Sequence, residues 1–384
     1  MNSVAWKFLL ITSLFFTACD EEKETVNEIK IEDESCLTAT GTSKAGTIIP
    51  GEYIVTVDES ETPGHARSAA VSVLSRHKIE DRVLEKIEGM RRHYRMKLTD
   101  EQATTLKNDI AVKNVEPDRI ISICGCFSVQ EPRSVTWNID KVGYGDGAGK
   151  TAWIIDTGID SSHPDLLVDK GRSKSFMDTG TFDDDNGHGT HIGGVIGALN
   201  NDIGTLGVAS GATLVALKVL DKNGDGKLSG LLNALSHVRQ YGKAGDVVNI
   251  SIGFDEFSST LENEITSIAS RGIYFSLAAG NESSEANAYS PARIAGNNIY
   301  TVSAIDSLDR FASFSNYGND VVDFAAPGVK ILSSYKEGKY AILSGTSMAA
   351  PHVAGLLLIN NGKINSNGYA VSDPDGSGDP IAHK

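Results

Sequence analysis

Apolar runs that alternate with helical patterns dominate the sequence from residue 151 to residue 305. The runs AWIID, TLVALKVL, DVVNISIG, IYFSLAAG and IYTVSAI are rich in β-branched residues and are typical of buried strands. Helical stretches such as GTHIGGVIGALN and LSGLLNALSHVRQYG fall between them. Strands that alternate with helices form parallel sheets with helical crossovers on the faces. The pattern therefore predicts an α/β fold built on a doubly wound, mostly parallel sheet.

Polar residues stand at the ends of these runs, where such a sheet binds its ligands. Asp156 follows AWII, Asn281 follows IYFSLAAG, and Ser347 begins the helix that SGTSMAAPHVAG predicts. His188 lies between two glycines, which leave its imidazole uncrowded. Each residue alone has a structural interpretation, as a helix cap, a turn or a packed histidine. Together they supply the nucleophile, base, orienting acid and amide donor that acyl transfer needs.

The stretch FDDDNGHGTH, which ends at His191, allows a second interpretation. Histidines beside acids also bind metals, and a metallohydrolase would use them in that way. The stretch lacks, however, the HExxH spacing of zinc hydrolases. The distant residues Asp156, Asn281 and Ser347 favour His188 as the proton carrier. His191 is then predicted to be a packed structural residue, and the three aspartates are predicted to lie in a solvated loop. A further alternative is an inactive binding relative that keeps the same residues.

Four motifs, IIDTGID, HGTHIGG, AAGN and GTSMAAPHVAG, resemble the signatures of the subtilisin-like serine proteases, the subtilases, in their order and spacing. The resemblance covers roughly residues 132–360 and implies a serine endopeptidase whose catalytic domain spans 132–362. It implies that Asp156 orients His188, which acts as general base and then general acid for the nucleophile Ser347. The Asn281 side chain and the Ser347 peptide NH would form the oxyanion hole.

A smaller pattern of elements, β-α-β-β-α-β, precedes this region. It predicts an α+β, ferredoxin-like module at residues 51–123. EYIVTV and VEPD within it resemble parts of the subtilase propeptide, which implies a module that assists folding and inhibits the enzyme until it is cleaved off. The chain would then be a zymogen with its own propeptide as a partner, and its processing site would lie within about 123–132.

The resemblance also implies where a peptide or protein substrate binds. GKLSG, residues 226–230, is similar to the edge strand that pairs with the substrate main chain. Two segments of small residues would form the walls of the pocket for the side chain before the scissile bond, which predicts broad specificity with an apolar or aromatic preference. The predicted substrate-binding residues are Leu228, Ser229, Gly230, Ser251, Ile252, Gly253, Ala278, Ala279, Gly280 and, near the pocket floor, Tyr289.

A calcium site is implied by LNNDIGTLG, residues 199–207, which resembles a calcium loop of the subtilases. Oxygen ligands suit Ca²⁺, the predicted cofactor. Arg133 replaces a glutamine ligand of the family and cannot bind a cation, so the site is either completed by water, Gln130 or Glu131, or weakened. The implied ligands are Asp165, Leu199, Asn201, Ile203 and Thr205, with Asp323 in a second, weaker site.

The N-terminus has the features of an export signal. Lys7 precedes an apolar run that is too short to span a bilayer. FFTAC resembles the end of a lipoprotein signal, which implies removal of residues 1–18 and a lipid anchor on Cys19. The alternative is an ordinary secretory signal. The acidic and polar residues 19–50 predict a tether. We therefore expect an exported lipoprotein of the outer membrane or cell surface, released when the propeptide is cleaved unless a disulfide bridges the cut.

Charge, cysteines and the C-terminus add smaller constraints. The formal net charge of −15 argues against nucleic acid as a partner, because phosphates attract Lys and Arg. Cys36 could pair with Cys124 or with Cys126, and the spacing does not decide between them. The last residues, 363–384, contain DPDGSGD and no helical pattern, and they predict a polar, flexible tail that could hold a cation only weakly.

Overall fold

The computed structural model describes residues 46–58, 66–80, 83–87, 90, 92–122, 126–129, 135–177 and 180–384. The predicted signal peptide, the lipidation site Cys19, two further cysteines (Cys36 and Cys124) and residues 130–134 lie outside these ranges. In the part of the chain that is described, no helix combines the length and the apolar character that a bilayer crossing requires.

An N-terminal module contains four strands and two helices: β1 (Ile48–Val57), α1 (Ala66–Arg76), β2 (Leu84–Lys86), β3 (His93–Lys97), α2 (Asp100–Lys107) and β4 (Val112–Ser122). The strands are antiparallel in the order β4-β1-β3-β2. Apolar residues of both helices, including Leu74 and Leu106, are fully buried in one cluster with the strands. α2 begins with a capping box, in which the Thr99 hydroxyl accepts a hydrogen bond from the Gln102 NH.

The rest of the chain forms one large sheet with helices, and some short accessory strands. Its elements are β5 (Cys126–Val129), α3 (Trp137–Val142), β6 (Gly145–Asp146), β7 (Thr151–Asp156), β8 (Lys174–Ser175), α4 (His188–Gly197), β9 (Ala209–Ser210), β10 (Thr213–Lys218), β11 (Asp225–Lys227), α5 (Leu228–Tyr241), β12 (Val247–Ile250), α6 (Ser259–Ala269), β13 (Tyr274–Ala278), β14 (Ile299–Ile305), β15 (Val322–Pro327), β16 (Ile331–Tyr335), β17 (Lys339–Ser344), α7 (Thr346–Ile359), β18 (Asn365–Tyr369) and β19 (Pro380–His383).

The large sheet has nine strands in the order β18-β19-β15-β14-β13-β12-β7-β10-β8. Every neighbouring pair from β8 to β19 is parallel, and β18 alone runs antiparallel to its neighbour. The reversal of strand order on the two sides of β7 is the doubly wound topology that the sequence predicts. The predicted α/β fold is therefore confirmed.

The central strand β7 shows why its sequence is continuously apolar. Ala152 and Ile154 point into one buried cluster, which they share with α4 and α7. Trp153 and Ile155 point into a second cluster, on the opposite face, shared with α5 and α6. Successive residues of a strand face opposite sides, so a strand covered by helices on both faces must be apolar at every position.

The C-terminal residues form a paired hairpin, so the prediction of a polar, flexible tail is wrong. Residues 365–383 form the hairpin of β18 and β19, and β19 adds to the edge of the large sheet beside β15. Ile381 and Ala382 are buried, and the Ser303 hydroxyl donates to the buried Asp379 at 2.5 Å. The DPDGSGD segment is the connection within this hairpin. The sequence did not reveal it because two short edge strands of mixed polarity carry no long periodic signal.

Candidate active site

Asp156 and His188 meet in the interior of the molecule. Asp156 is the last residue of β7, and His188 is the first residue of α4. The Nδ1 atom of His188 lies 2.8 Å from Oδ1 of Asp156, and both side chains are almost fully buried. An ionised carboxylate only accepts, so this contact places a proton on Nδ1 and leaves Nε2 as the basic nitrogen. The same Asp156 oxygen accepts from the Thr157 NH at 2.7 Å, which fixes its orientation.

The glycines that flank His188 allow close packing from two sides. Gly187 has φ 115°, and a Cβ there would lie 2.1 Å from the ring of Tyr335. A Cβ on Gly189 would lie 2.1 Å from the carbonyl oxygen of Gly158. The Tyr335 hydroxyl donates to the carbonyl of Asn186 at 2.8 Å. The chain on either side of His188 therefore packs against the Tyr335 ring and the Gly158 carbonyl so closely that only glycine fits at these two positions.

Ser347 lies in the first turn of α7, as the sequence predicts, but its hydroxyl has another partner than His188. It donates to the carbonyl of Ser251 at 3.1 Å, and the Ser251 hydroxyl donates to the carbonyl of Ser347 at 3.1 Å. Nε2 of His188 is buried and has no hydrogen-bond partner among the described residues. The imidazole is thus oriented by the carboxylate while its second nitrogen stays available to accept a proton.

Asn281 faces the start of the same helix. Its Oδ1 atom accepts from the NH of Thr346 at 2.8 Å and from the Thr346 hydroxyl at 3.0 Å. These contacts leave the Nδ2 group as the donor that can turn toward a ligand. The first NH groups of a helix have no partner within the helix, so the start of α7 offers further donors beside it. The arrangement can stabilise a developing negative charge.

Two of the three aspartates before His188 are not in a merely solvated loop, which corrects the sequence analysis. Asp184 is buried and accepts from the NH of Gly187 at 2.8 Å, the NH of Thr190 at 2.9 Å and the Thr190 hydroxyl at 2.6 Å. Asp185 pairs with the buried ammonium of Lys218 at 2.6 Å. Asp184 therefore caps the start of α4. A capping Asp in the loop before a helix was the signal available in the sequence.

His191 lies one turn further along α4 and does not reach the site. Its Nε2 donates to the carbonyl of Ile331 at 2.9 Å, and burial lowers its pKa to about 3. The imidazole is therefore neutral at physiological pH and holds α4 against β16. Among the described residues no group of three or more His, Cys, Asp or Glu side chains could hold a metal ion.

The predicted pocket walls come together at the ends of neighbouring strands. Ser251, Ile252 and Gly253 follow β12, and Ala278, Ala279 and Gly280 close β13, which pairs with β12 in parallel. The Tyr289 hydroxyl lies 3.0 Å from the hydroxyl of Ser284. Asn316, which the sequence analysis missed, donates from Nδ2 to the carbonyl of Ala279 at 3.1 Å and so supports one wall.

The predicted edge strand at residues 226–230 is misplaced. It comprises Asp225–Lys227, and the predicted residues Leu228, Ser229 and Gly230 form the first turn of α5 instead. The helix starts at Leu228 because Leu228, Leu231, Leu232 and Leu235 lie at helical spacing and are all fully buried. The edge strand is thereby shorter and lies earlier than predicted.

The N-terminal module docks on this region through three kinds of contact. β4 pairs antiparallel with β11, with Gly226 opposite Ile121. Ile121 is fully buried in the same apolar cluster as Leu228 and Ile252. Asp118 is also fully buried, and its Oδ1 accepts from the NH of Ser229 at 3.2 Å in the first turn of α5. A carboxylate at a helix N-terminus satisfies free NH groups and complements the helix dipole.

The predicted calcium ligands surround one buried carboxylate. Asp165 is fully buried, and its Oδ2 accepts from the NH of Thr205 at 3.0 Å, while Oδ1 has no partner among the described residues. Burial raises the pKa of Asp165 to about 6. Gly204 passes so near that a Cβ would lie 2.1 Å from Oδ2. Asn201, Leu199 and Ile203 lie on the same loop, so the residues present fit an oxygen-ligated cation. Asp323, proposed for the second site, accepts from the NH of Thr301 at 2.8 Å.

Comparisons with known proteins agree with this geometry. A family model described as the subtilase family matches residues 147–367. The thermostable alkaline protease of Halalkalibacterium halodurans is 35% identical over 314 residues, which cover 79% of this chain and 80% of that protein. Subtilisin E of Bacillus subtilis is 40% identical over 268 residues, 67% of each chain. A crystal structure of a cold-adapted subtilisin-like serine proteinase matches with a TM-score of 0.56 and 33% identity over 65% of this chain and 98% of that chain.

Proposed function

This chain belongs to the subtilase family and is a subtilisin-like serine endopeptidase, and from that premise we propose that Asp156, His188 and Ser347 carry out its peptide-bond hydrolysis. The observation that carries the proposal is the buried contact of 2.8 Å between Asp156 and Nδ1 of His188, which leaves Nε2 without a partner among the described residues. The base is oriented by a carboxylate, and its helix α4 packs against α7, which carries the serine in its first turn. Acyl transfer requires a serine, a base and an orienting acid of this kind.

The proposed mechanism begins when the Ser347 side chain turns from the Ser251 carbonyl toward Nε2 of His188. Nε2 takes the hydroxyl proton as the serine oxygen attacks the scissile carbonyl, and Asp156 stabilises the imidazolium that forms. The Asn281 Nδ2 group and the Ser347 NH donate to the oxyanion. The imidazolium then gives its proton to the leaving amine, and water repeats the sequence on the acyl-enzyme.

Self-processing of the full chain tests the proposal. Wild-type protein is expected to separate into an N-terminal and a C-terminal fragment, whereas Ser347→Ala should remain one intact chain. Ser344→Ala, three residues earlier on β17, is the matched control and should process normally. Cleavage of purified Ser347→Ala at the wild-type rate would refute the assignment of the nucleophile. A processed, folded wild-type protein with no peptidase activity would indicate the inactive binding relative instead.

We also propose that residues 51–123 are an inhibitory propeptide and that the chain is a zymogen. The support is the docking of the N-terminal module: the pairing of β4 with β11, the burial of Ile121 and the helix cap by Asp118. Ser122, the last residue of β4, lies opposite Asp225 of β11. The expected processing site stays within about 123–132. N-terminal sequencing of the mature fragment tests this range.

The proposed specificity is broad with an apolar preference. Apart from Ile252, the residues of 251–253 and 278–280 are small and would leave room for a bulky side chain before the scissile bond. Ile121 offers a second indication, because this propeptide residue lies among Leu228, Ile252 and other apolar residues next to the edge strand. Digestion of a peptide library should therefore favour apolar residues near the cut. Cleavage mainly after Lys or Arg would contradict this specificity.

For the cofactor, we propose that Asp165, Asn201 and the carbonyls of Leu199, Ile203 and Thr205 hold Ca²⁺. The partnerless Oδ1 of the buried Asp165 supports this assignment. A bound ion would neutralise that carboxylate and hold the loop 199–207 on the fold, and it would take no part in bond cleavage.

The location of the protein is proposed from the first residues of the sequence alone. Export fits an endopeptidase of this family, and FFTAC supports a lipid on Cys19 and an outer-membrane or cell-surface lipoprotein. Because Cys19 precedes the processing site, cleavage should release the active fragment. Fractionation after labelling with a radioactive fatty acid tests this. We expect labelled N-terminal fragment in the membrane fraction. The Cys19→Ala variant, treated in the same way, should carry no label. If the wild-type protein carries no label, the lipid anchor is refuted and the N-terminus is an ordinary secretory signal.

A further inference from the structure

The side chain of Asn316 holds the loop that carries Asn281 at two points. Its Nδ2 group donates to the carbonyl of Ala279 at 3.1 Å, before Asn281, and its Oδ1 atom accepts from the NH of Glu282 at 2.9 Å, after it. Oδ1 also accepts from the NH of Ser284 at 3.1 Å. Asn316 is fully buried, so solvent does not compete for these contacts. Its amide therefore fixes the main chain on both sides of the proposed oxyanion donor.

Glu282 links Asn316 directly to Asn281. One carboxylate oxygen of Glu282, Oε2, accepts from Nδ2 of Asn316 at 2.8 Å and from the NH of Asn281 at 2.8 Å. Hydrogen bonds to an ionised acceptor are stronger than those between neutral groups. Glu282 itself is exposed, and Oε2 is the oxygen that it turns toward the buried amide. The carboxylate thus joins that amide to the peptide group of Asn281.

Gly280 leaves the space that these contacts need. It has φ 107°, and a Cβ there would lie 2.3 Å from Nδ2 of Asn316 and 2.7 Å from Oε2 of Glu282. The Gly280 NH donates to the hydroxyl of Thr346 at 3.1 Å, and the Thr346 NH donates to Oδ1 of Asn281 at 2.8 Å. The hydrogen bonds therefore continue from Asn316 to the start of α7, the helix that carries the proposed nucleophile.

We propose that Asn316 and Glu282 are positioning residues for the oxyanion donor Asn281. The inference rests on the proposed function, because it takes the Asn281 side chain as a donor to the oxyanion. In this role both residues act on the reaction only through Asn281, by holding the peptide groups around it. A donor stabilises the transition state only when it is aimed at the developing charge. Loosening the loop should therefore lower kcat and leave KM nearly unchanged.

The charge of Glu282 suggests a competing role with a different signature. Glu282 follows the pocket wall 278–280, where a carboxylate would attract a basic side chain before the scissile bond. Its loss would then appear in KM and would be confined to substrates with Lys or Arg at that position. A positioning role depends on the acceptor oxygen, so its loss would appear in kcat and would be the same for every substrate.

The first experiment uses mature enzyme and peptides that differ only in the residue before the scissile bond, which is Phe, Ala or Lys. Glu282→Leu removes the acceptor and should lower kcat about tenfold on all three peptides, with KM unchanged. Glu282→Gln keeps an acceptor oxygen and should retain kcat within about threefold of wild type. Because Glu282 is exposed, both variants should fold, and their melting temperatures check this.

A variant at the buried end tests the same contacts. Asn316→Asp has the shape of the wild-type side chain, but it has no donor for the Ala279 carbonyl and brings a second carboxylate to Glu282. Its kcat should fall by about tenfold or more. Adding Glu282→Gln should restore part of the loss, because the amide of Gln can donate to the new carboxylate. Asn287→Asp, at an exposed amide of the same region, is the matched control and should leave kcat unchanged.

A double-mutant cycle shows whether Glu282 acts through Asn281. Asn281→Ala should lower kcat on the order of 100-fold. Adding Glu282→Leu to Asn281→Ala should cost nothing more, because the side chain that Glu282 positions is then absent. A purely structural contribution of Glu282 would instead add its full tenfold loss to that of Asn281→Ala.

Four results would overturn the inference. They are wild-type kcat in Glu282→Leu, a loss confined to the Lys peptide, an equal loss in Glu282→Gln and Glu282→Leu, and additive losses in the cycle. Failure of the proposed function looks different: Ser347→Ala would then cleave the peptides, or Asn281→Ala would keep wild-type kcat. If Ser347→Ala is inactive and Asn281→Ala is slow while Glu282→Leu is unimpaired, the catalytic assignment stands and only the positioning role is refuted.

Discussion

At the scale of single residues, the loop that carries His188 is more tightly determined than its sequence suggests. The carboxylate of Asp184 caps α4, and the Lys218 ammonium joins the Thr157 carbonyl to Asp185 with contacts of 2.6 Å each. The sequence allowed us to predict His188 as a proton carrier because its distant partners stand at strand and helix ends. The Asp184 cap was a local signal that the sequence analysis missed. The Lys218 contacts could not be predicted, because they join residues far apart in the chain.

Gly187 offers a direct test of this loop. In Gly187→Ala, a Cβ would meet the Tyr335 ring at 2.1 Å in a backbone conformation with φ 115°. We expect a loss of about 3 kcal/mol or more in stability, since steric overlap adds to the backbone strain, together with reduced kcat. Gly149→Ala is the matched control, because Gly149 has φ 77° but open space around its Cβ direction. It should cost about 1 kcal/mol and leave kcat unchanged.

Urea unfolding and peptide hydrolysis measure the two effects separately. If Gly187→Ala behaves like Gly149→Ala in both assays, the contact with Tyr335 does not position His188.

At the scale of secondary-structure elements, long apolar patterns predicted the large sheet well and short mixed ones did not. The strands β7, β10, β12, β13 and β14 have continuous apolar runs because both faces are buried, and the structure confirms their parallel order. The boundary between β11 and α5 was misplaced, because Leu228 satisfies a strand and a helix pattern equally and burial decides between them. The hairpin of β18 and β19 was missed because its strands are stabilised by pairing at a sheet edge.

The pairing of strand β4 with β11 is the basis of the proposed inhibition, and it can be tested by mutation. Ile121→Asp in the full chain would place a carboxylate among Leu228, Ile252 and their apolar neighbours. We expect the processed propeptide fragment to bind at least 100-fold more weakly, because burying an unpaired charge costs about 3 kcal/mol or more. Ile120→Asp is the control, since Ile120 is only half-buried.

Residual peptidase activity after processing reports the result. The Ile121→Asp enzyme should be active immediately on cleavage, and the Ile120→Asp enzyme should stay inhibited much as wild type does. Equal inhibition in both variants would mean that Ile121 does not anchor the propeptide.

At the scale of the whole molecule, the proposed zymogen combines an inhibitory N-terminal module with a cation at Asp165 that supports the fold and takes no part in bond cleavage. Chelation should therefore lower the melting temperature of mature enzyme without an immediate change in kcat. In the presence of Ca²⁺, Asp165→Asn should melt at a lower temperature than wild type. Chelator should then lower its melting temperature by less, because the ion has already lost its carboxylate ligand. Asp169→Asn, a carboxylate that pairs with Arg172, should leave the response to chelator intact.

Calorimetry with and without chelator provides the measurement. A melting temperature that is indifferent to chelator in wild type would refute the calcium site. An immediate loss of hydrolysis on chelation would instead favour the metallohydrolase alternative.

The central claim is that Ser347 is the nucleophile, activated by the His188–Asp156 pair, and covalent labelling tests it most directly. Mature wild-type enzyme is treated with a fluorophosphonate, with and without brief chelation, and the modified residue is located by mass spectrometry of its peptides. We predict a single label on Ser347, unaffected by chelation, slowed on the order of 10⁴-fold in Asp156→Asn because the imidazole then presents the wrong tautomer. A label on another serine, or full-rate labelling of Asp156→Asn, would contradict the account.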